Sequence, residues 1–301
     1  MKAEDIRKVV VVGTGTMGQQ IALACAIAGI RVAAHDVSEA SLAAARPRVA
    51  ALLEQLRAAG KASVPDPAGV LSRITWTTDA AAAAADADLL SENVPEDVAL
   101  KRRVFASWHA LCPPRTLFTT NTSMLLPSDF AAESGRPEQL VALHFHDLRT
   151  TTVVDVMPHP GTAPATVEAV AAFARRLGQS PIVLKRQHTG YLFNNMLNAL
   201  VNSALTLASN GVAAPMDIDR AWMGVLGYPR GPFAGIDAIG IDTVHHIPER
   251  WATQLRDPQQ ARNAAFLKQY VDRGQLGEKT GKGFYSYPDP EYLQPGFLTG
   301  R

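Results

Sequence analysis

Arg7-Lys8-Val9-Val10-Val11-Val12-Gly13-Thr14-Gly15-Thr16-Met17-Gly18 is the stretch that decides the fold. A short unbroken run of β-branched residues reads as a strand buried on both faces. It breaks at glycines. The Ala-rich apolar stretch from Gln20 to Ala28 then reads as a helix closed by Gly29. Arg31 to Asp36 reads as the next strand. Strand, glycine-rich turn, helix and strand together make a βαβ unit with a parallel sheet.

The glycines have the spacing Gly13-x-Gly15-x-x-Gly18. Gly13 permits the tight turn, Gly15 lets a pyrophosphate approach the backbone, and Gly18 lets the helix pack closely on the sheet. The phosphates would sit at the helix N-terminus by Thr16 and Met17, where unpaired N–H groups and the helix dipole favour anions. Alone the motif is weak, and a glycine-rich turn without function is the alternative. Here an acid ends the second strand, Asp36, 23 positions after Gly13. That is where a ribose-binding carboxylate belongs. Asp36 would repel a 2′-phosphate, and Val37 after it supplies no cation to bind one. The expected cofactor is therefore NAD.

Working outward, the chain has 301 residues, enough for two ordinary domains. Its 29 Lys and Arg against 28 Asp and Glu leave a net charge of +1, without the basic excess that nucleic acid or an anionic membrane would attract. Hydrophobic residues at 47% and charged residues at 19% describe a chain able to build a core. Cys25 and Cys112 form neither a CxxC pair nor a disulfide framework. The start carries no apolar signal region, and no stretch is long and apolar enough for a membrane span. A soluble, cytoplasmic protein is expected.

Downstream, Glu39 to Leu56 reads as a helix, Gly60 to Gly69 as a loop, and Arg73 to Thr77 as a strand. Ala80 to Ala85 reads as a surface helix. Further strands are expected at Asp88–Glu92, Thr116–Thr120 and Gln139–Phe145, with a helix from Asp97 to Leu111. Alternation of strand and helix up to Lys185 suits a doubly wound sheet. From Gln187 the patterns turn helical: Tyr191–Asn210, Asp217–Leu226, Ile241–Leu255 and Ala261–Arg273. The expected fold is α/β, a Rossmann-type doubly wound sheet over residues 1–186, followed by an all-α C-terminal domain over 187–301. The Pro-, Tyr- and Gly-rich tail after Gly283 reads as a surface strap.

His144 lies in Val141-Ala142-Leu143-His144-Phe145-His146-Asp147. Strand alternation turns Leu143 and Phe145 one way and His144 and His146 the other. A histidine at the C-terminal end of such a strand stands where ligands bind. A satisfied core or surface histidine is the alternative. Asp155, inside the apolar run Val153-Val154-Asp155-Val156-Met157, is costly to bury unless paired, and His144 is its natural partner. Such a pair fixes the imidazole tautomer and stabilises the imidazolium formed on proton uptake. An edge-strand Asp facing water is the competing reading. Thr120-Asn121-Thr122-Ser123 could bind a substrate oxygen or merely cap a helix. Asn194 and Asn195 stand early in an apolar helix, with a function or an exposed polar face both open. No metal-ligand spacing appears, and Gly281-Lys282-Gly283 is not a P-loop.

These residues resemble the 3-hydroxyacyl-CoA dehydrogenase family, in order and over nearly the whole chain. The resemblance runs from Gly13–Gly18 through Glu92-Asn93-Val94-Pro95-Glu96 with Lys101-Arg102, Thr120-Asn121-Thr122-Ser123 and His144-Phe145. It continues in Gly190-Tyr191-Leu192-Phe193-Asn194, Gly231-Pro232-Phe233, and Lys279-Thr280-Gly281-Lys282-Gly283-Phe284-Tyr285. Thr120 to Phe145 looks most like the diketoreductase branch. The resemblance implies hydride transfer between NAD and C3 of a 3-hydroxyacyl or 3-ketoacyl compound, with the acyl group on CoA or free. It implies His144 as acid and base with Asp155 beside it, and Ser123 and Asn194 on the substrate oxygen. Glu92 and Lys101 would line the nicotinamide end, with Asn121 in the cofactor set, and the helical domain would form a homodimer. Alternatives are a diketoreductase, a sugar-acid or carnitine dehydrogenase of the same fold, or a non-catalytic NAD-binding homologue.

The sequence departs from the family in two places. The family continues His-Phe with an aromatic residue, Asn and Pro, where this chain has His146, Asp147 and Leu148. The family also carries a Glu one position farther from the histidine than Asp155 stands. Asn195 occupies a position where many members have Arg. The Asp36 reading predicts that kcat/KM measured with NADH exceeds that with NADPH; the opposite ranking would refute it.

Overall fold

Strands β1 (Lys8–Val12) and β2 (Arg31–His35) pair in parallel across helix α1 (Thr16–Ile27), as the opening stretch requires. The computed structural model describes residues 1–300, with side chains described for all of these except Gln254 and Leu255. After β2 come α2 (Glu39–Ala58), α3 (Pro67–Ser72), β3 (Ile74–Thr77), α4 (Ala80–Ala84) and β4 (Leu89–Glu92). Then follow α5 (Val98–Leu111), β5 (Leu117–Thr120), β6 (Leu140–Phe145), β7 (Val153–Met157), α6 (Pro164–Arg176) and β8 (Ser180–Val183). The short helix α3 begins inside the stretch expected to be loop, where Asp66 caps it and Pro67 starts its first turn.

The eight strands form one sheet in the order β3-β2-β1-β4-β5-β6-β7-β8. The four valines of β1 show why the run is unbroken. Val9 and Val11 join the apolar cluster built on α1 and α6, while Val10 and Val12 join the cluster on the opposite face with Phe105, Trp108 and Phe118. Ala83 and Ala84 of α4 belong to that second cluster while Ala81 and Ala82 stay exposed, so α4 is a surface helix with one face on the core. Small side chains let this short helix lie against the core.

One expectation about the sheet needs correction. Strand and helix do not alternate without interruption, because β7 runs antiparallel to β6. A parallel return needs a crossover of about a dozen residues or more. Residues 146–152 between β6 and β7 are too few for one, so the chain turns straight back. The resulting register sets His144 directly opposite Asp155.

The chain divides into two compact units, Met1–Leu192 and Phe193–Arg301, a few residues beyond the change of pattern near 187. The second unit holds α7 (Phe193–Ser209), α8 (Pro215–Leu226), α9 (Pro232–Ile239), α10 (Ile241–Leu255) and α11 (Pro258–Val271). Helix α9 is an element the sequence patterns left out. Among the described residues, no helix is long and apolar enough to cross a membrane.

The tail is not a surface strap. Phe284, Tyr285, Tyr292 and Phe297 are buried in the apolar cluster of the second unit. Two buried aspartates hold it there. Asp237 accepts from the backbone N–H groups of Phe284 and Tyr285 at 3.0 and 2.9 Å, and from the Tyr287 hydroxyl at 3.0 Å. Asp219 accepts from the N–H groups of Phe233 and Ala234, both at 2.8 Å, and from the Tyr285 hydroxyl at 2.9 Å. Burial pushes the Asp219 carboxyl up to about 6. Asp219→Asn puts an amide NH₂ where one carboxylate oxygen now accepts. It should lower unfolding free energy by about 1–3 kcal/mol, read as a lower urea midpoint with activity per folded molecule retained.

Candidate active site

The turn after β1 opens a cleft of about 1280 Å³ in the first unit. Gly13, Thr14, Gly15, Thr16 and Met17 line it, with Asp36 beyond them and Asn93, Lys101, Asn121 and Ser123 towards the other end. The glycines differ in what they do. A Cβ on Gly18 would lie 1.9 Å from the Gly13 carbonyl oxygen, and one on Gly13, whose φ is +93°, would lie 2.7 Å from the Asn93 carbonyl oxygen. Those two let the turn, α1 and the β4 end pack together. A Cβ on Gly15 would meet nothing within 4 Å. Gly15 keeps space open rather than filling it, as a pyrophosphate over the helix N-terminus requires. No side chain caps α1.

Asp36 is held by Thr14, a residue to which the sequence reading gave no role. One Asp36 oxygen accepts from both the Thr14 N–H and its hydroxyl at 2.9 Å, and the other accepts from Ser38 N–H at 3.2 Å. A carboxylate has about four acceptor positions, so room remains for a ribose hydroxyl. His35 lines the same cleft. Its Nε2 lies 3.2 Å from the Thr78 carbonyl oxygen, while its buried Nδ1 has no partner in the protein. An orphaned acceptor and an open glycine in one cleft both fit a dinucleotide.

At the C-terminal end of β6, His144 Nδ1 lies 3.1 Å from Asp155 Oδ2. The two side chains are 4% and 2% exposed, so the edge-strand reading of Asp155 does not hold. β8, not β7, forms that edge of the sheet. His146 Nε2 reaches the same Asp155 oxygen at 3.3 Å, and its ring stands edge-on to His144 at 4.6 Å. Burial pushes the Asp155 carboxyl up, but hydrogen bonds and charge from the two histidines outweigh it and hold it below the ordinary Asp value. The alternation of side chains had put both histidines on one face, yet only the register of β7 shows that they share a carboxylate. Their ligand atoms lie within 4.8 Å of one another, a grouping that local spacing does not announce and that these hydrogen bonds account for.

Glu92 does not line the cleft, contrary to what the family resemblance implied. It is fully buried beneath it. Its carboxylate accepts from Lys101 Nζ at 2.7 Å, Val94 N–H at 2.7 Å and the Thr120 hydroxyl at 2.6 Å. Burial pushes the Glu92 carboxyl up against these partners. Lys101 reaches the cleft from this anchor and also meets Glu96 at 3.3 Å.

Glu96 in turn ties down the segment after β5. It accepts from the Thr122 hydroxyl at 2.7 Å and the Ser123 N–H at 2.6 Å. Asn121 Oδ1 accepts from Phe145 N–H at 2.7 Å, joining this segment to the residue after His144. Thr122 and Asn121 are thus engaged in holding the backbone. Ser123 is half-buried in the cleft wall. Asn194 stands at the start of α7 in the second unit.

Two family models cover nearly all of this chain: the NAD binding domain of 3-hydroxyacyl-CoA dehydrogenase over residues 8–187 and the C-terminal domain of the same enzyme over 190–287. The chain belongs to this family. It is an NAD-dependent oxidoreductase of the 3-hydroxyacyl-CoA dehydrogenase type. It is 31% identical over 286 residues to a probable 3-hydroxybutyryl-CoA dehydrogenase of Bacillus subtilis, covering 95% of this chain and 99% of the relative. Among solved structures, a diketoreductase described as acting on dicarbonyl compounds superposes with a TM-score of 0.87 at 38% identity, covering 94% of this chain and 99% of that one. The (S)-3-hydroxybutyryl-CoA dehydrogenase of Ralstonia eutropha gives 0.82 at 31% identity, covering 94% and 100%.

The contrast between the glycines gives a test. In this dehydrogenase Gly15→Ala should fold with an unchanged melting temperature and raise KM for NADH on the order of tenfold, about 1.4 kcal/mol of lost binding. Gly18→Ala should lower the melting temperature. Equal thermal losses in both variants would contradict the assignment.

Proposed function

We propose that this dehydrogenase reduces the 3-keto group of a 3-ketoacyl thioester and oxidises the corresponding 3-hydroxy compound, with His144 as the proton carrier. The His144–Asp155 contact at 3.1 Å carries the reading. With Nδ1–H donated to Asp155, Nε2 is the nitrogen that faces substrate. In oxidation His144 takes the hydroxyl proton there, and Asp155 stabilises the imidazolium that results. In reduction the same nitrogen gives the proton to the carbonyl oxygen. A nicotinamide held in the cleft lined by Gly15 and Asp36 would supply or accept the hydride. Asp155 remains ionised across the neutral range, as its lowered pKa requires, and His146 holds the carboxylate oxygen from its second side. The Ser123 hydroxyl supports the substrate oxygen from the cleft wall.

A second reading is favoured by one specific finding. Identity to the diketoreductase structure, 38%, exceeds the 31% to the hydroxybutyryl-CoA dehydrogenase. On that reading the substrate is a small dicarbonyl compound rather than a thioester. We further propose a homodimer formed through the second unit, which exposes Val212, Val225 and Tyr228, and residence in the cytoplasm.

NADH oxidation followed with acetoacetyl-CoA and with small β-keto esters separates the two substrate classes. Turnover of neither would sink both readings. His144→Ala and Asp155→Asn should each lower kcat by factors on the order of 10² or more, with NADH binding retained. A normal rate in Asp155→Asn would remove Asp155 from the mechanism.

A further inference from the structure

Tyr191 ends the first unit next to Leu192 and lies against His144. The two rings are nearly parallel, with centroids 4.6 Å apart and planes inclined at 24°. The backbone at Tyr191 has φ +52°, the left-handed region that side chains larger than glycine rarely adopt. Strain of this kind collects at functional sites. The ring is 1% exposed and packs on the apolar residues Ala142, Met157, Leu184 and Leu126.

The Tyr191 hydroxyl is buried, and none of those neighbours or any other group in the protein partners it. A phenylalanine would fill the same space and make the same stack, so packing explains the ring but leaves the oxygen unexplained. Buried hydroxyls are nearly always partnered. His144 is enclosed to a similar degree, at 4% exposure, so the stacked rings share one confined place.

We propose that the Tyr191 hydroxyl is a second hydrogen-bond donor to the substrate oxygen that exchanges its proton with His144. This rests on the proton-carrier reading of His144. In reduction the C=O π bond breaks, C3 gains the hydride, and the oxygen gains a proton from His144, whose ring is left neutral. Tyr191 gives up no proton. It donates to the oxygen as negative charge develops there, the moment at which a preorganised donor lowers the barrier most. Burial, with Glu96, Asp155 and Glu92 in the surroundings, pushes the Tyr191 hydroxyl well above the ordinary phenol value, so it remains a donor at any working pH.

Tyr191→Phe tests this, because it keeps the ring and the stack and removes only the oxygen. With acetoacetyl-CoA, or the β-keto ester if that is the class turned over, kcat should fall about 10- to 100-fold. KM for NADH and the melting temperature should not change. A kcat within about twofold of the parent chain would overturn the proposal, as would a loss explained by a lowered melting temperature. If the parent is active, His144→Ala is inactive and Tyr191→Phe is normal, the Tyr191 proposal alone fails. If the parent turns over no β-keto compound of either class, the proton-carrier reading fails and takes this proposal with it.

Discussion

A carboxylate enclosed in a sheet is unstable without partners, and the placement of Asp155 follows from how that constraint is met. It sits on β7, the strand just inside the β8 edge, 2% exposed, with two imidazoles on one of its oxygens. The arrangement exists because β7 turns straight back after β6. In an antiparallel pair, residues directly opposite have Cβ atoms roughly 5 Å apart on the same face. A short Asp therefore reaches His144 without help from the connecting loop. The departure from the family's Glu, one residue nearer and one CH₂ shorter, leaves the pair intact. The register compensates for what the side chain lacks.

Around this pair the protein spends polar side chains on backbone. Asn121 fixes the residue after His144, Glu96 fixes Thr122 and Ser123, and Glu92 fixes Lys101 and Thr120. These links run from β4 through β5 to β6, so the cofactor cleft and the histidine are held as one piece of the first unit. Among the groups left over here are the Ser123 hydroxyl, His35 Nδ1, Asn93 Oδ1 and the Tyr191 hydroxyl. A site in which most polar atoms are satisfied internally makes the unsatisfied ones informative, since buried polar groups are nearly always partnered.

Much of this was legible in the chain. The valine run, the glycine spacing and Asp36 gave the βαβ unit and its cofactor, because each depends on residues close in sequence. The alternation around His144 put both histidines on one face for the same reason. Less legible were α4, where Ala83 and Ala84 looked like surface because alanine fits either environment, and the tail. Its Pro, Gly and Tyr residues read as loop, and it is loop. What composition could not say is that Asp219 and Asp237, far upstream, bind its backbone and draw four aromatics inside.

The amino-acid order by itself therefore determined the fold class, the cofactor and the strand that carries His144. All three are written in periodicities and spacings a few residues long. Tertiary structure alone decided which polar residues line the cleft and which are used up in holding their neighbours. Glu92, Lys101, Asn121 and Ser123 look equally suited to a site in sequence. They separate only when strand order and register bring distant donors and acceptors within hydrogen-bond distance, which no local pattern encodes.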